Sequence, residues 1–117
     1  MKFACLAAFA LALAACGGGQ TFCQAKKAAL DDASNTKLKD CPDIKTLYDQ
    51  SASQMPTGQA CEDIYAKCTA ADKTKLDTGT TCLKSLPNCT LATASDWVTS
   101  AMACNPTGLS STCTLGY

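Results

Sequence analysis

Ten cysteines fall within 117 residues, and no two of them have fewer than six residues between them. That density constrains the fold more than any other feature. A reducing cytosol would leave ten thiols to be hidden or metallated; an oxidising compartment turns them into a covalent frame. The spacing argues against metal. Zinc sites use short pairs such as C-x2-C, commonly with His, and this chain has no His. A thioredoxin-like centre needs C-x-x-C, which does not occur. The expectation is a disulfide scaffold with no metal and no cofactor.

The N-terminus indicates the compartment. Lys2 precedes an apolar run from Phe3 to Ala15. Its length suits a secretory signal and falls short of the ~20 residues a membrane-spanning helix needs. The run ends Leu13-Ala14-Ala15-Cys16-Gly17, which resembles the lipobox of bacterial lipoprotein precursors. The resemblance implies a diacylglyceryl group on the Cys16 thiol, cleavage after Ala15 and acylation of the new amino terminus. Ordinary signal peptidase cleavage after Ala12-Leu13-Ala14 is the competing reading.

Parity separates the two. Cleavage after Ala14 leaves Cys16 together with Cys23, Cys41, Cys61, Cys68, Cys82, Cys89, Cys104 and Cys113, an odd set with one thiol left over. With Cys16 lipidated, the other eight form an even set. One acyl chain binds a membrane only marginally, but several together anchor stably. Residues 1–15 are therefore expected to be a removed signal peptide, residues 16–21 a glycine-rich tether, and residues 22–117 a single disulfide-rich domain. Gly17–Gln20 spans at most ~15 Å, so the domain is held near the bilayer. Gly17 is not the retention-type Asp of the lipoprotein class, which favours the outer membrane over the inner. The expected partners are the membrane, through the anchor, and an envelope protein.

Beyond Cys16 the pattern is helical, and no alternating β-branched or aromatic stretch supports a strand. The expectation is an all-α bundle of about four main helices stapled by disulfides. A first helix is predicted from about Phe22 to Lys39, broken by Cys41-Pro42. A short helix from Asp43 to Gln50 follows, with Ile44, Leu47 and Tyr48 together, then a linker through Pro56 and Gly58. Cys61, Ile64, Tyr65 and Cys68 make an i, i+3, i+4, i+7 stripe. Thr69 and Asp72 have capping-box spacing ahead of a helix presenting Leu76, Gly79, Leu83 and Leu86. Thr93 or Ser95 caps a last helix with Trp97, Val98, Ala101 and Cys104 on one side.

Spacing limits the disulfides without fixing them. Cys61 and Cys68 lie ~10.5 Å apart on a helix and cannot pair with each other, since a bridge needs Cα atoms within about 7 Å. Cys23 and Cys41, ~27 Å apart on a continuous helix, are not partners either. Cys104 and Cys113 flank a turn and are able to pair. "CEDIYAKC" and "CLKSLPNC" share a C-x6-C spacing, which reads as either a duplicated unit or helical spacing alone.

Net charge and residue types exclude several functions. The chain carries ten Lys against ten Asp plus Glu and no Arg, so no basic footprint for nucleic acid exists. Without His, the familiar Ser-His-Asp and Cys-His catalytic arrangements are absent. Glu62-Asp63 and Lys84-Ser85 are neighbours in sequence, and neighbours on a helix do not face one substrate. No catalytic residue is expected. Trp97 reads as a core anchor, with ligand stacking as its alternative.

"KCTAADKTKLDTGTTCLKSLPNC", "WVTSAMAC" and "LSSTC", following a lipobox and a glycine tract, resemble a family of small cysteine-rich lipoproteins of myxobacteria and their relatives. The resemblance implies location and fold and brings no activity with it. Plant lipid-transfer proteins need adjacent C-C and C-x-C, which are absent, and oomycete elicitins have six cysteines and no lipobox. The expected function is a lipid-anchored structural or protein-interaction module of the bacterial envelope. The alternative is a carrier of a small ligand or lipid. An apolar cavity lined by Leu76, Leu83, Leu86, Trp97 and Met102 would favour the carrier; a filled core with an exposed apolar patch would favour the module.

Overall fold

The computed structural model describes residues 20–115. The predicted signal peptide, Cys16 and the glycines of the tether lie outside the described residues. Five α-helices and no strand occur among the described residues: α1 (Phe22–Asp32), α2 (Pro42–Ser53), α3 (Gly58–Lys67), α4 (Ala70–Ser85) and α5 (Ala94–Ala103). The all-α, disulfide-stapled expectation holds. None of these helices is long and apolar enough to cross a membrane.

α1 starts at a capping box. Thr21 Oγ1 accepts from Gln24 N at 3.2 Å, and Gln24 Oε1 accepts from Thr21 N at 3.1 Å. The predicted continuation to Lys39 changes character at Ala33, where the chain widens into a π turn, Ala33–Lys37. Leu38 N donates five residues back to Ala33 O at 2.9 Å. This turn accommodates Ala33, Ser34, Lys37 and Leu38 as buried residues in quick succession. Lys37 Nζ then donates to the carbonyls of Lys84, at 2.6 Å, and Leu86. It thereby serves orphan acceptors at the end of α4.

The bundle holds two cores. One gathers Leu30, Ala33, Leu38, Leu83, Leu86 and Trp97; the other gathers Phe22, Cys61, Leu76 and Leu115. The first halves of α1 and α4 enter the second core, and their later halves enter the first. The two helices therefore form a shared spine running in one direction. Each core is closed by two bridges. Cys23–Cys61 and Cys68–Cys113 belong to the Phe22 core, with Cα separations of 6.0 and 4.6 Å. Cys41–Cys89 and Cys82–Cys104, at 6.1 and 5.4 Å, belong to the Trp97 core.

The pairing decides one possibility that spacing left open. Cys104 and Cys113 do not pair, although they flank a turn, because α5 ends in one core and the tail crosses to the other. Gly108, at φ 66°, makes the turn, and its carbonyl accepts from Lys75 Nζ at 2.6 Å. The C-x6-C repeat is not a duplicated structural unit. Cys61 lies within α3 and Cys68 at its C-terminal end, and both serve one core. Cys82 lies on α4 and Cys89 in the loop beyond it.

Of the two caps expected for α5, Thr93 holds the N-cap position and Ser95 does not, but the Thr93 side chain makes no capping bond to the helix. A short 3-10 turn, Leu91–Thr93, precedes α5, and Thr90 caps that turn, its Oγ1 accepting from Thr93 N at 3.2 Å. Trp97 and Cys104 are buried as predicted, while Val98 stays at the surface.

Candidate functional site

α2 stands apart from its neighbours and has no fully buried residue. Pro42 at its first position suits a helix start, where a missing N–H costs nothing. Its root is tied to the loop after α4 by Cys41–Cys89. Farther along, Lys45 Nζ donates to Asp49 Oδ2 at 2.5 Å and to Ser34 Oγ at 2.9 Å, and Ser34 Oγ donates to Asp49. The Lys45 ammonium, then the Ser34 hydroxyl, hold the Asp49 carboxyl below its ordinary pKa. This cluster pins α2 to the π turn and leaves its apolar face turned toward α5.

Between α2 and α5 lies an apolar cleft of about 290 Å³. Leu30, Leu83, Trp97 and Cys104 are its buried residues; Ile44, Tyr48, Met55 and Ala101 are half-buried; Leu47 and Met102 are exposed. No Asp, Glu or Lys lines it. The Trp97 and Tyr48 rings meet edge to face with centroids 6.1 Å apart. Trp97 Nε1 donates to Pro87 O at 2.9 Å, so its polar edge is bonded to protein and its carbon surface is what the cleft presents. Leu47 and Met102, 65% and 72% exposed, are large apolar side chains in contact with water.

The cleft only partly matches the cavity considered from sequence. Leu83, Trp97 and Met102 line it. Leu76 does not, because it packs in the Phe22 core, and Leu86 is buried in the Trp97 core without lining the cleft. The α2 side was signalled by Ile44, Leu47 and Tyr48 at helical spacing. Met55 was missed, since it lies in a stretch read as linker.

Cys68, Cys113 and Asp72 bring sulfur and carboxylate atoms within 4.8 Å of one another. Both sulfurs belong to one disulfide, so neither is a thiolate able to hold a metal. Asp72 accepts from Thr69 N at 2.9 Å, Ser110 N at 3.0 Å and Ser110 Oγ at 2.5 Å. The two Ser110 contacts and then Thr69 hold its carboxyl well below the usual carboxylate range. Asp72 thus completes the predicted capping box of α4 and also clamps the tail.

The other residues weighed for catalysis sit apart. Asp63 accepts from Gln59 at 2.8 Å on the exposed side of α3. Ser85 Oγ donates to Cys82 O at 2.7 Å, and Lys84 is exposed beside it.

These features define a small helical, disulfide-braced domain with one open apolar cleft as its candidate site. No family model, curated protein or solved structure matches the chain.

Proposed function

We propose that the chain is a lipid-anchored protein of the bacterial envelope that binds rather than catalyses, with the α2/α5 cleft as its working surface. The anchor reading rests on the lipobox-like Leu13-Ala14-Ala15-Cys16 and on the parity of the remaining cysteines. The described structure supports it in one respect: all eight of those cysteines are used in four bridges, so Cys16 is not needed as a partner. The resemblance to small myxobacterial lipoproteins points to the same place, with the outer membrane as the proposed destination.

The cleft carries the binding reading. A contiguous apolar cleft rimmed by polar residues is the kind of surface that marks a binding site, whereas apolar side chains exposed singly are ordinary. A lining without carboxylate or ammonium offers shape and dispersion contacts rather than acid–base chemistry.

The test is fractionation of the wild-type protein against Cys16→Ala. The wild type is expected in detergent-extracted membranes and the variant in the soluble periplasmic fraction, each with four intact bridges. Equal solubility of the two proteins would reject the anchor.

A further inference from the structure

The geometry points to the α2/α5 cleft as a binding site for one neutral hydrocarbon tail of about ten carbons, the end of an alkyl or acyl chain. This deepens the proposal that the cleft is the working surface, and it rests on that proposal.

Size sets the first limit. A volume of about 290 Å³ is about twice the ~150 Å³ of a cavity that takes one benzene, so it accommodates on the order of ten carbons. That is one chain segment, well short of a sterol or a diacyl lipid. Charge complementarity sets the second. With no Asp, Glu or Lys in the lining, a buried carboxylate or ammonium would lie without a counter-ion, which is costly. The guest is therefore neutral where it is buried.

The opening is also pre-organised. Cys41–Cys89 fixes the root of α2, the Ser34–Lys45–Asp49 cluster holds its middle, and Cys82–Cys104 holds the end of α5. A guest need not pry the helices apart, so little binding energy goes into reorganisation. Met55 and Met102 on the lining are unbranched and adapt to a chain of variable path.

A protein partner fits less well. A stable interface covers about 800 Å² on each side, and beyond the cleft both helices turn polar faces outward. Asp43, Thr46 and Gln50 on α2, and Asp96, Thr99 and Ser100 on α5, are all exposed. Among the described residues, Leu91 is the one large exposed apolar side chain outside the lining; Leu47, Val98 and Met102 all belong to the cleft.

Trp97, the only tryptophan of the chain, lines the cleft and reports on its occupancy. The mature chain, residues 16–117 carrying Cys16→Ala, which keeps the eight bridging cysteines and lacks the apolar run Phe3–Ala15, is titrated with 10-bromodecan-1-ol. Trp97 fluorescence is expected to be quenched saturably at one equivalent. In displacement by straight-chain alcohols from hexanol to tetradecanol, affinity should rise about three- to fourfold per methylene and level off near ten carbons. Decanoate should displace more weakly than decanol.

Ala101→Phe, which fills the cleft, and Leu47→Asp, which charges its exposed rim, should each weaken the probe at least tenfold with disulfides and helix content unchanged. Leu47→Asp serves if the filled variant fails to fold. The proposal is overturned by non-saturating quenching, by affinity that climbs past fourteen carbons without a break, or by quenching that both folded variants retain. Displacement by a leucine-bearing amphipathic peptide more tightly than by decanol would assign the cleft to a protein instead. A negative titration would leave the anchor intact, and a soluble wild type would leave a positive titration standing.

Discussion

Two lysines on and just beyond α1 show how one residue type takes opposite roles under burial. Lys26 is 2% exposed, and desolvation pushes its pKa down to about 8 from 10.5. Below pH 8 both folded and unfolded chains carry that proton. Between pH 8 and 10.5 the unfolded chain keeps it while the folded chain has lost it, so stability rises with pH through this window. Tyr65 sets the upper limit. Burial, then the nearby Asp77 and Glu62 charges, raise its pKa, so ionisation of the unfolded chain reverses the gain above about pH 10. Urea midpoints should therefore increase from pH 7 to about 9.5, and Lys26→Met should flatten that increase.

Lys37 instead places its ammonium on two carbonyls at the end of α4, with Asp32 3.9 Å away. Lys37→Met should cost about 1.5–3 kcal/mol, the range for hydrogen bonds to a charged group. Amide exchange should speed up at residues 83–86. Asp72→Asn is expected to loosen the tail at Ser110 and the start of α4 together. For Asp72 the pH dependence has the same sense as for Lys26 but lies in the acid window: its stabilisation is complete above the ordinary carboxylate pKa and is lost as pH falls below it.

At the scale of elements, α2 depends on covalent support. It buries no residue fully, so packing alone holds it weakly. Removing Cys41–Cys89 with the double Cys→Ser variant should lower stability by about 2–5 kcal/mol. The loss should appear first as fast amide exchange in α2, with α1 and α4 protected longer. The helices themselves were legible because their signals are local. Examples are the Thr69/Asp72 box, the stripe of Cys61, Ile64, Tyr65 and Cys68, and Leu76, Gly79, Leu83 and Leu86, the last two sets all buried or half-buried. The π turn was not legible, since it depends on Lys37 reaching the end of a helix 47 residues away. The cleft was half legible. Ile44, Leu47 and Tyr48 marked an apolar face, but which face it opposes is set by the Cys41–Cys89 bridge and the Ser34 cluster. Neither is implied by spacing.

The whole molecule is two small cores on a common spine, each stapled twice. A chain with so few aromatic side chains gains little from packing large groups, and in the chain-entropy account loops of this length contribute about 3–4 kcal/mol per bridge. Pairing is a property of this scale, because it depends on which core each segment returns to. Sequence excluded Cys61–Cys68 and Cys23–Cys41 on helix geometry but left Cys104–Cys113 open. The tail's return to Asp72 decided against it. The cysteine set and the anchor are tested together by top-down mass spectrometry of the unreduced wild-type protein extracted from membranes. The account predicts a chain beginning at Cys16 with added lipid mass and bridges 23–61, 41–89, 68–113 and 82–104. A chain beginning at Ala15 without lipid, or Cys16 found in a bridge, would contradict it.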